Sequence, residues 1–188
     1  MLTINNKTDA LIIVDVQNDF CPGGALAVPE GDKIVPVINQ LIQKFDKVYT
    51  TQDWHPEDHI SFKKQGGLWP PHCVANTKGA DFHPGLKVEN AIHIFKGTDK
   101  NKEAYSGFQG TDLSGKLKEN GIRRIFITGL ATDYCVKATA LDGLKQGFEV
   151  VVISDAIKGV DVNPDDSKKA LQEMKDAGVF IIKSGKLY

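Results

Sequence analysis

Unbroken apolar runs alternate along this chain with stretches whose apolar residues recur at three- and four-residue spacing. The first run, Ala10 to Val16 (ALIIVDV), shows no in–out alternation, as expected of a strand buried on both faces. Ile34 to Phe45 follows with apolar positions at helical spacing. Lys47 to Thr51 and Ala91 to Phe95 are short and β-rich. Leu113 to Glu119 reads as a short helix ahead of the β-branched strand Ile125 to Leu130. Thr132 and Asp133 are natural N-caps for a helix over Tyr134 to Leu144. Phe148 to Ile153 and Val179 to Lys183 read as the last strands. Between them, Asn163-Pro164-Asp165 opens a helix to about Ala177, with Pro164 as its first helical residue. This alternation predicts a three-layer α/β/α sandwich with a mostly parallel central sheet of about six strands, in one domain over residues 1–188.

The rhythm breaks from Trp54 to Lys87, which is rich in Gly and Pro and holds four of the five histidines. A loop that long inside a compact domain is usually functional or disordered, and its aromatics and histidines argue against disorder. Composition narrows the function classes. A net charge of −1 with both signs interspersed offers no basic face to nucleic acid or an anionic membrane. No window approaches the ~18 consecutive apolar residues of a bilayer span. The N-terminus lacks the basic region of a signal peptide, and three cysteines at unrelated spacings make no disulfide framework. A reducing, cytoplasmic setting is expected.

In parallel sheets, ligands bind at the carboxyl ends of the strands. Four reactive side chains stand there: Asp15, Asp53, Lys96 and Cys135. Each alone has a structural explanation, as a loop cap, a turn residue, a solvated charge or a small core residue. Together they describe acyl transfer through a thioester. Cys135, in the first turn of a helix, is expected to be drawn toward thiolate by unpaired N–H groups and the helix dipole. Asp15 can take its proton and Lys96 can steady the anion. Amides around Leu130-Ala131 and at Cys135 point where an oxyanion would form.

Asp53 and His55, two apart, share a side if the chain stays extended. With His59 and His72 they suit zinc, manganese or ferrous iron, against the plainer alternative of loop hydrogen bonds. His83, His93 and Cys21 read as structural or packing residues; Cys73, next to His72, could ligate, with packing the favoured reading. Phe20, Trp69 and Tyr105 are candidate aromatic walls for a flat substrate.

The segments ALIIVDVQNDFCPGGALAV, TTQDWHPEDHISF, WPPHCVANTKGADFHPGL, IFKGTDKNKEAYSGFQGTDL and GLATDYCVKATALDGL run from about Ala10 to Ile157. In that order they resemble the nicotinamidase/pyrazinamidase branch of the isochorismatase-like cysteine hydrolases, which have a Rossmann-like topology. The resemblance implies Asp15, Lys96 and Cys135 as the catalytic set. It implies Asp53, His55 and His72 as ligands of one divalent metal, zinc ahead of Mn2+ or Fe2+, with His59 an optional further ligand. It also implies ring-sandwiching by Phe20 and Trp69, and a cis Leu130-Ala131 peptide presenting the Ala131 and Cys135 amides as an oxyanion hole. The implied reaction is hydrolysis of nicotinamide to nicotinate and ammonia in NAD salvage, with pyrazinamide a fortuitous substrate. A homo-oligomer is compatible with the family. The alternatives are an amidase for a carbamoyl or ureido compound, a metal-hydroxide nucleophile, and a non-catalytic metal-stabilised binding module.

Overall fold

Strand β1 (Asp9–Val14) is buried at every position, and it forms the centre of the molecule. The structure, a computed structural model, describes residues 2–188. The other strands are β2 (Val48–Asp53), β3 (Ile92–Lys96), β4 (Arg124–Leu130), β5 (Glu149–Lys158) and β6 (Phe180–Ile182). All neighbours pair in parallel, in the order β3-β2-β1-β4-β5-β6. This is the doubly wound order, whose winding reverses between β1 and β4 and leaves a crevice beyond their carboxyl ends.

Alternate residues of β1 feed two cores, which makes the three layers. Leu11 and Ile13 pack with Ile38 and Leu41 of helix α1 (Val35–Ile42). Ala10, Ile12 and Val14 pack on the opposite face with Leu113 and Leu117 of α2 (Leu113–Glu119), Ala140 of α3 (Lys137–Lys145) and Met174 of α4 (Asp166–Asp176). The crossover from β2 to β3 has no α-helix. It runs through the expected long loop, which holds one 3-10 turn at Lys63–Gln65. Among the described residues no helix is long and apolar enough to cross a membrane.

Three local expectations are corrected. The last long strand does not stop at Ile153: β5 runs to Lys158, with an irregularity where Ile127 and Gly129 of β4 pair with Val152 and Ile157. The polar Ser154-Asp155 pair, just past the expected end, lies in this irregularity and bonds the end of β6 and the segment after it. Ser154 donates to the Ile182 carbonyl at 3.1 Å, and Asp155 accepts from the Ser184 amide and hydroxyl at 2.8 and 2.6 Å. Helix α4 begins at Asp166 rather than Pro164, because Asp165 takes a left-handed conformation (φ 68°) that no helix can include. Finally, Asp133 caps nothing. Residues Thr132–Val136 form a π-helical turn without a side-chain cap, and the Asp133 carboxylate instead accepts the Val160 and Asp161 amides at 3.0 and 2.9 Å.

Candidate active site and metal centre

Asp15 follows β1 in the left-handed region (φ 48°) and is completely buried. Asp53 and Lys96 end β2 and β3, where they are register partners. Cys135 lies in the π-helical turn after β4, and Leu130-Ala131 is a cis peptide, as the resemblance implied. Gly129, one residue earlier, is required by contact: a Cβ there would fall 2.0 Å from the Val14 carbonyl oxygen, closing the gap between β1 and β4.

Lys96 joins these groups. Its Nζ lies 3.0 Å from Asp15 Oδ2, bonds Asp53 Oδ1, donates to the Ala104 carbonyl at 3.2 Å and stands 3.6 Å from Cys135 Sγ. Burial opposes a charge on this lysine, yet the flanking Asp15 and Asp53 carboxylates hold its pKa well above the usual value. It is an ammonium. Burial pushes Asp15 above the ordinary carboxylate range, against the pull of Lys96. Burial also disfavours ionised Asp53, but Lys96 and His55 outweigh it and hold that carboxyl well below its usual range. The two aspartates are thus driven apart, one toward proton acceptance and one toward permanent charge.

The expected helix-stabilised thiolate is not found. Burial raises the Cys135 thiol well above its ordinary pKa despite Lys96 nearby. At rest Cys135 is a thiol that needs a base. Asp15 Oδ2, which has no aligned hydrogen-bond donor among the described residues, offers an acceptor nearby. One oxygen each of Asp15 and Asp53 lies with Cys135 Sγ within a mutual 4.8 Å.

Beside this triad, Asp53, His55 and His72 each aim a ligand atom into one space, all within 4.8 Å of one another. His55 Nδ1 faces the Gly97 carbonyl at 2.9 Å and His72 Nδ1 faces the Pro70 carbonyl at 2.8 Å. A nitrogen facing a carbonyl must carry the hydrogen, so both Nε2 atoms are left as lone-pair donors. Burial lowers the pKa of His72 and keeps it neutral. His55 differs: Asp53, 3.5 Å from its Nε2, outweighs burial and raises its pKa, so a metal there would displace any Nε2 proton. A carboxylate and two imidazoles suit a divalent metal ion. His59 is not brought into this set. Its ring stacks on His55 at 4.1 Å between centroids, and its nitrogens are occupied by Ser61 Oγ at 2.7 Å and the Lys102 carbonyl at 3.0 Å.

A pocket of about 480 Å³, counting its open mouth, exposes these groups; it is lined by Asp53, His55, His72, Ala131 and Cys135 with Phe20, Trp69 and Tyr105. Trp69 Nε1 donates to the Tyr105 hydroxyl at 3.1 Å. The Ala131 amide donates to no acceptor among the described residues.

The isochorismatase domain model matches residues 9–185. The chain belongs to the isochorismatase family. The nicotinamidase of Escherichia coli (strain K12) is 44% identical, with 92% of this chain and 93% of that protein covered. Among solved structures of the family, the pyrazinamidase of Pyrococcus horikoshii in complex with zinc shares 55% identity at a TM-score of 0.88, covering 93% of this chain and 98% of that one. PnC1 from L. infantum in complex with nicotinate aligns over 100% of this chain and 98% of its own, at 41% identity and a TM-score of 0.94.

The isochorismatase-family site also uses residues that the sequence did not single out. Gln17 clamps Asp53: its side-chain oxygen accepts the Asp53 amide and its nitrogen donates to the Asp53 carbonyl, both at 2.8 Å. Asp19 accepts the Cys73 amide at 2.8 Å, next to His72. Tyr134 lines the pocket and meets Trp69 edge-on at 5.2 Å. Gly97 (φ 63°) lies flush against His55, with a Cβ there only 2.4 Å from the ring. Gln17 and Asp19 stand in a short segment with Asp15 and Phe20, a clustering the sequence does display.

Proposed function

We propose that this protein is a nicotinamidase, a single-domain cysteine amidohydrolase that converts nicotinamide to nicotinate and ammonia in NAD salvage. The observation that carries this reading is Lys96, whose ammonium touches the Asp15–Cys135 pair and Asp53 of the metal set at once. Acyl transfer and ring anchoring therefore share one pocket. Asp53, His55 and His72 would hold a divalent ion, zinc ahead of manganese or ferrous iron, which supplies a Lewis-acid anchor for a ring nitrogen and makes a bound water more acidic.

The chain's own residues do the rest. Phe20, Trp69 and Tyr105 enclose the flat ring and hold its carboxamide toward Cys135. Asp15 Oδ2 removes the thiol proton as Sγ attacks the carboxamide carbon, and Lys96 steadies the developing thiolate. The Ala131 and Cys135 amides receive the oxyanion. Protonated Asp15 returns its proton to the departing nitrogen, ammonia leaves, and a thioester remains on Cys135. Asp15 then takes a proton from the water that attacks the thioester carbon; the C–S bond breaks, nicotinate leaves, and the proton returns from Asp15 to Cys135 Sγ. Three unpaired cysteines fit a reducing, cytoplasmic setting.

The test is ammonia release from nicotinamide, pyrazinamide and a ureido amide, with and without a chelator. Release from the first two, lost on chelation, is expected. Turnover confined to the ureido compound sinks the substrate assignment.

A further inference from the structure

We infer that Thr51 aims the base: it is a positioning residue that assigns the two oxygens of Asp15 different tasks. This rests on the proposed role of Asp15. Thr51 of β2 sits in register with Val14 of β1, beside the point where Asp15 leaves the strand. It holds Asp15 at two points. The Thr51 carbonyl accepts the Asp15 amide at 3.1 Å, and the Thr51 hydroxyl donates to Asp15 Oδ1 at 2.7 Å. Asp15 needs such a hold, because its left-handed backbone is uncommon for a residue with a side chain. Thr51 is itself 0% exposed and absent from the pocket wall, so it does not touch the substrate directly.

The consequence lies in the asymmetry. Either oxygen of a free carboxylate can be turned toward a neighbouring thiol. Here Oδ1 is engaged by the Thr51 hydroxyl, whereas Oδ2 faces Lys96 at 3.0 Å without an aligned donor. Oδ2 is thereby left as the acceptor for the Cys135 proton. The S–H bond breaks and an Oδ2–H bond forms; later that bond breaks as the proton passes to the leaving nitrogen. The Thr51 hydroxyl keeps its own hydrogen throughout and bonds Oδ1 in both states of the acid.

Two substitutions separate this from plain packing. Thr51→Val keeps the shape and removes the hydroxyl. Thr51→Ser keeps the hydroxyl and removes the methyl group, which fills the space over Gly107, where an added Cβ would meet it at 2.8 Å. Packing ranks serine as the worse change, and aiming ranks valine as the worse change. With nicotinamide, Thr51→Val is expected to lower kcat about 10- to 100-fold with KM within about twofold, the scale of a lost hydrogen bond to a charged group. Thr51→Ser should keep kcat within about threefold. If the valine variant does not fold, Thr51→Ala takes its place against serine, with the same loss expected. A second readout needs no amide: alkylation of Cys135 by iodoacetamide, located by peptide mass spectrometry, should be slowed in the same order. Valine turning over as fast as wild type, or serine as slow as valine, overturns the role of Thr51. A wild type inactive on nicotinamide, with the alkylation order intact, overturns the substrate assignment and leaves Thr51 in place.

Discussion

The two ends of β1 each carry an aspartate paired with a cation, and they differ in what they leave unspent. At the amino end, Asp9 bonds the Arg124 guanidinium and accepts the Asn5 amide at 2.8 Å and the Thr8 hydroxyl at 3.4 Å. Both carboxylate oxygens are used. The one buried atom there without a partner is Arg124 Nε, a donor on a group that does not give up its proton. At the carboxyl end, Asp15 has Oδ1 bonded and Oδ2 beside an ammonium with no aligned donor. A saturated carboxylate holds strands together. A carboxylate whose second oxygen meets only an ammonium, in a dry, charged site, can move a proton. The two aspartates are equally buried; the difference lies in their hydrogen bonds and in the cation, which is fully buried and shared with Asp53 beside Asp15 but partly exposed beside Asp9.

The contrast is broken most severely at the carboxyl end. Asp15→Asn should lower kcat about 10³-fold or more while the protein stays folded, the range for loss of a general base. Cys135→Ala should abolish turnover and retain metal, as read by metal analysis beside ammonia release. Appreciable activity in either variant removes Asp15 or Cys135 from the reaction. His72→Ala should weaken zinc retention by more than the roughly 10- to 100-fold typical of losing an outer-shell partner, on titration with a competing chelator, leaving Cys135 open to alkylation. At the amino end the effect changes kind. Asp9→Asn should cost about 2 kcal/mol in urea unfolding, below the value for a fully buried pair because Arg124 is partly exposed. Its kcat should match wild type; a loss there would mean the two ends are coupled. The smallest effect is in pH. Asp15 must be ionised to accept the thiol proton, and burial raises its pKa, so activity falls as pH drops through that raised value. The acid limb of kcat/KM should therefore lie above the ordinary carboxylate value of 3.8. A limb at or below 3.8 contradicts the assignment.

Asp15, Asp53, Lys96 and Cys135 could be gathered from sequence because strand ends are marked by local pattern and parallel topology does the rest. The metal set was legible for the same reason, through its concentration in one long loop. What stayed hidden depends on partners distant along the chain. Thr51 and Asp15 are 36 residues apart, as are Gln17 and Asp53, and nothing local in either segment announces the bond. Asp133 has the composition of a cap but is taken up by amides 27 and 28 residues later. Strand β5 is expected to end before the polar Ser154-Asp155, whose partners Ile182 and Ser184 come much later. The upward shift of the Cys135 thiol is hidden from the sequence because helix position is visible there and dehydration is not.

Gly97 also shows that the metal centre is specified by atoms that are missing. The His55 ring rests where a methyl group on residue 97 would have to be, and the carbonyl of that same residue fixes the ring's tautomer. Contact and hydrogen bond come from one peptide unit, so His55 cannot yield to a bulkier neighbour without losing its orientation. A single added carbon at this position is therefore tantamount to editing a ligand, although residue 97 is not itself a ligand.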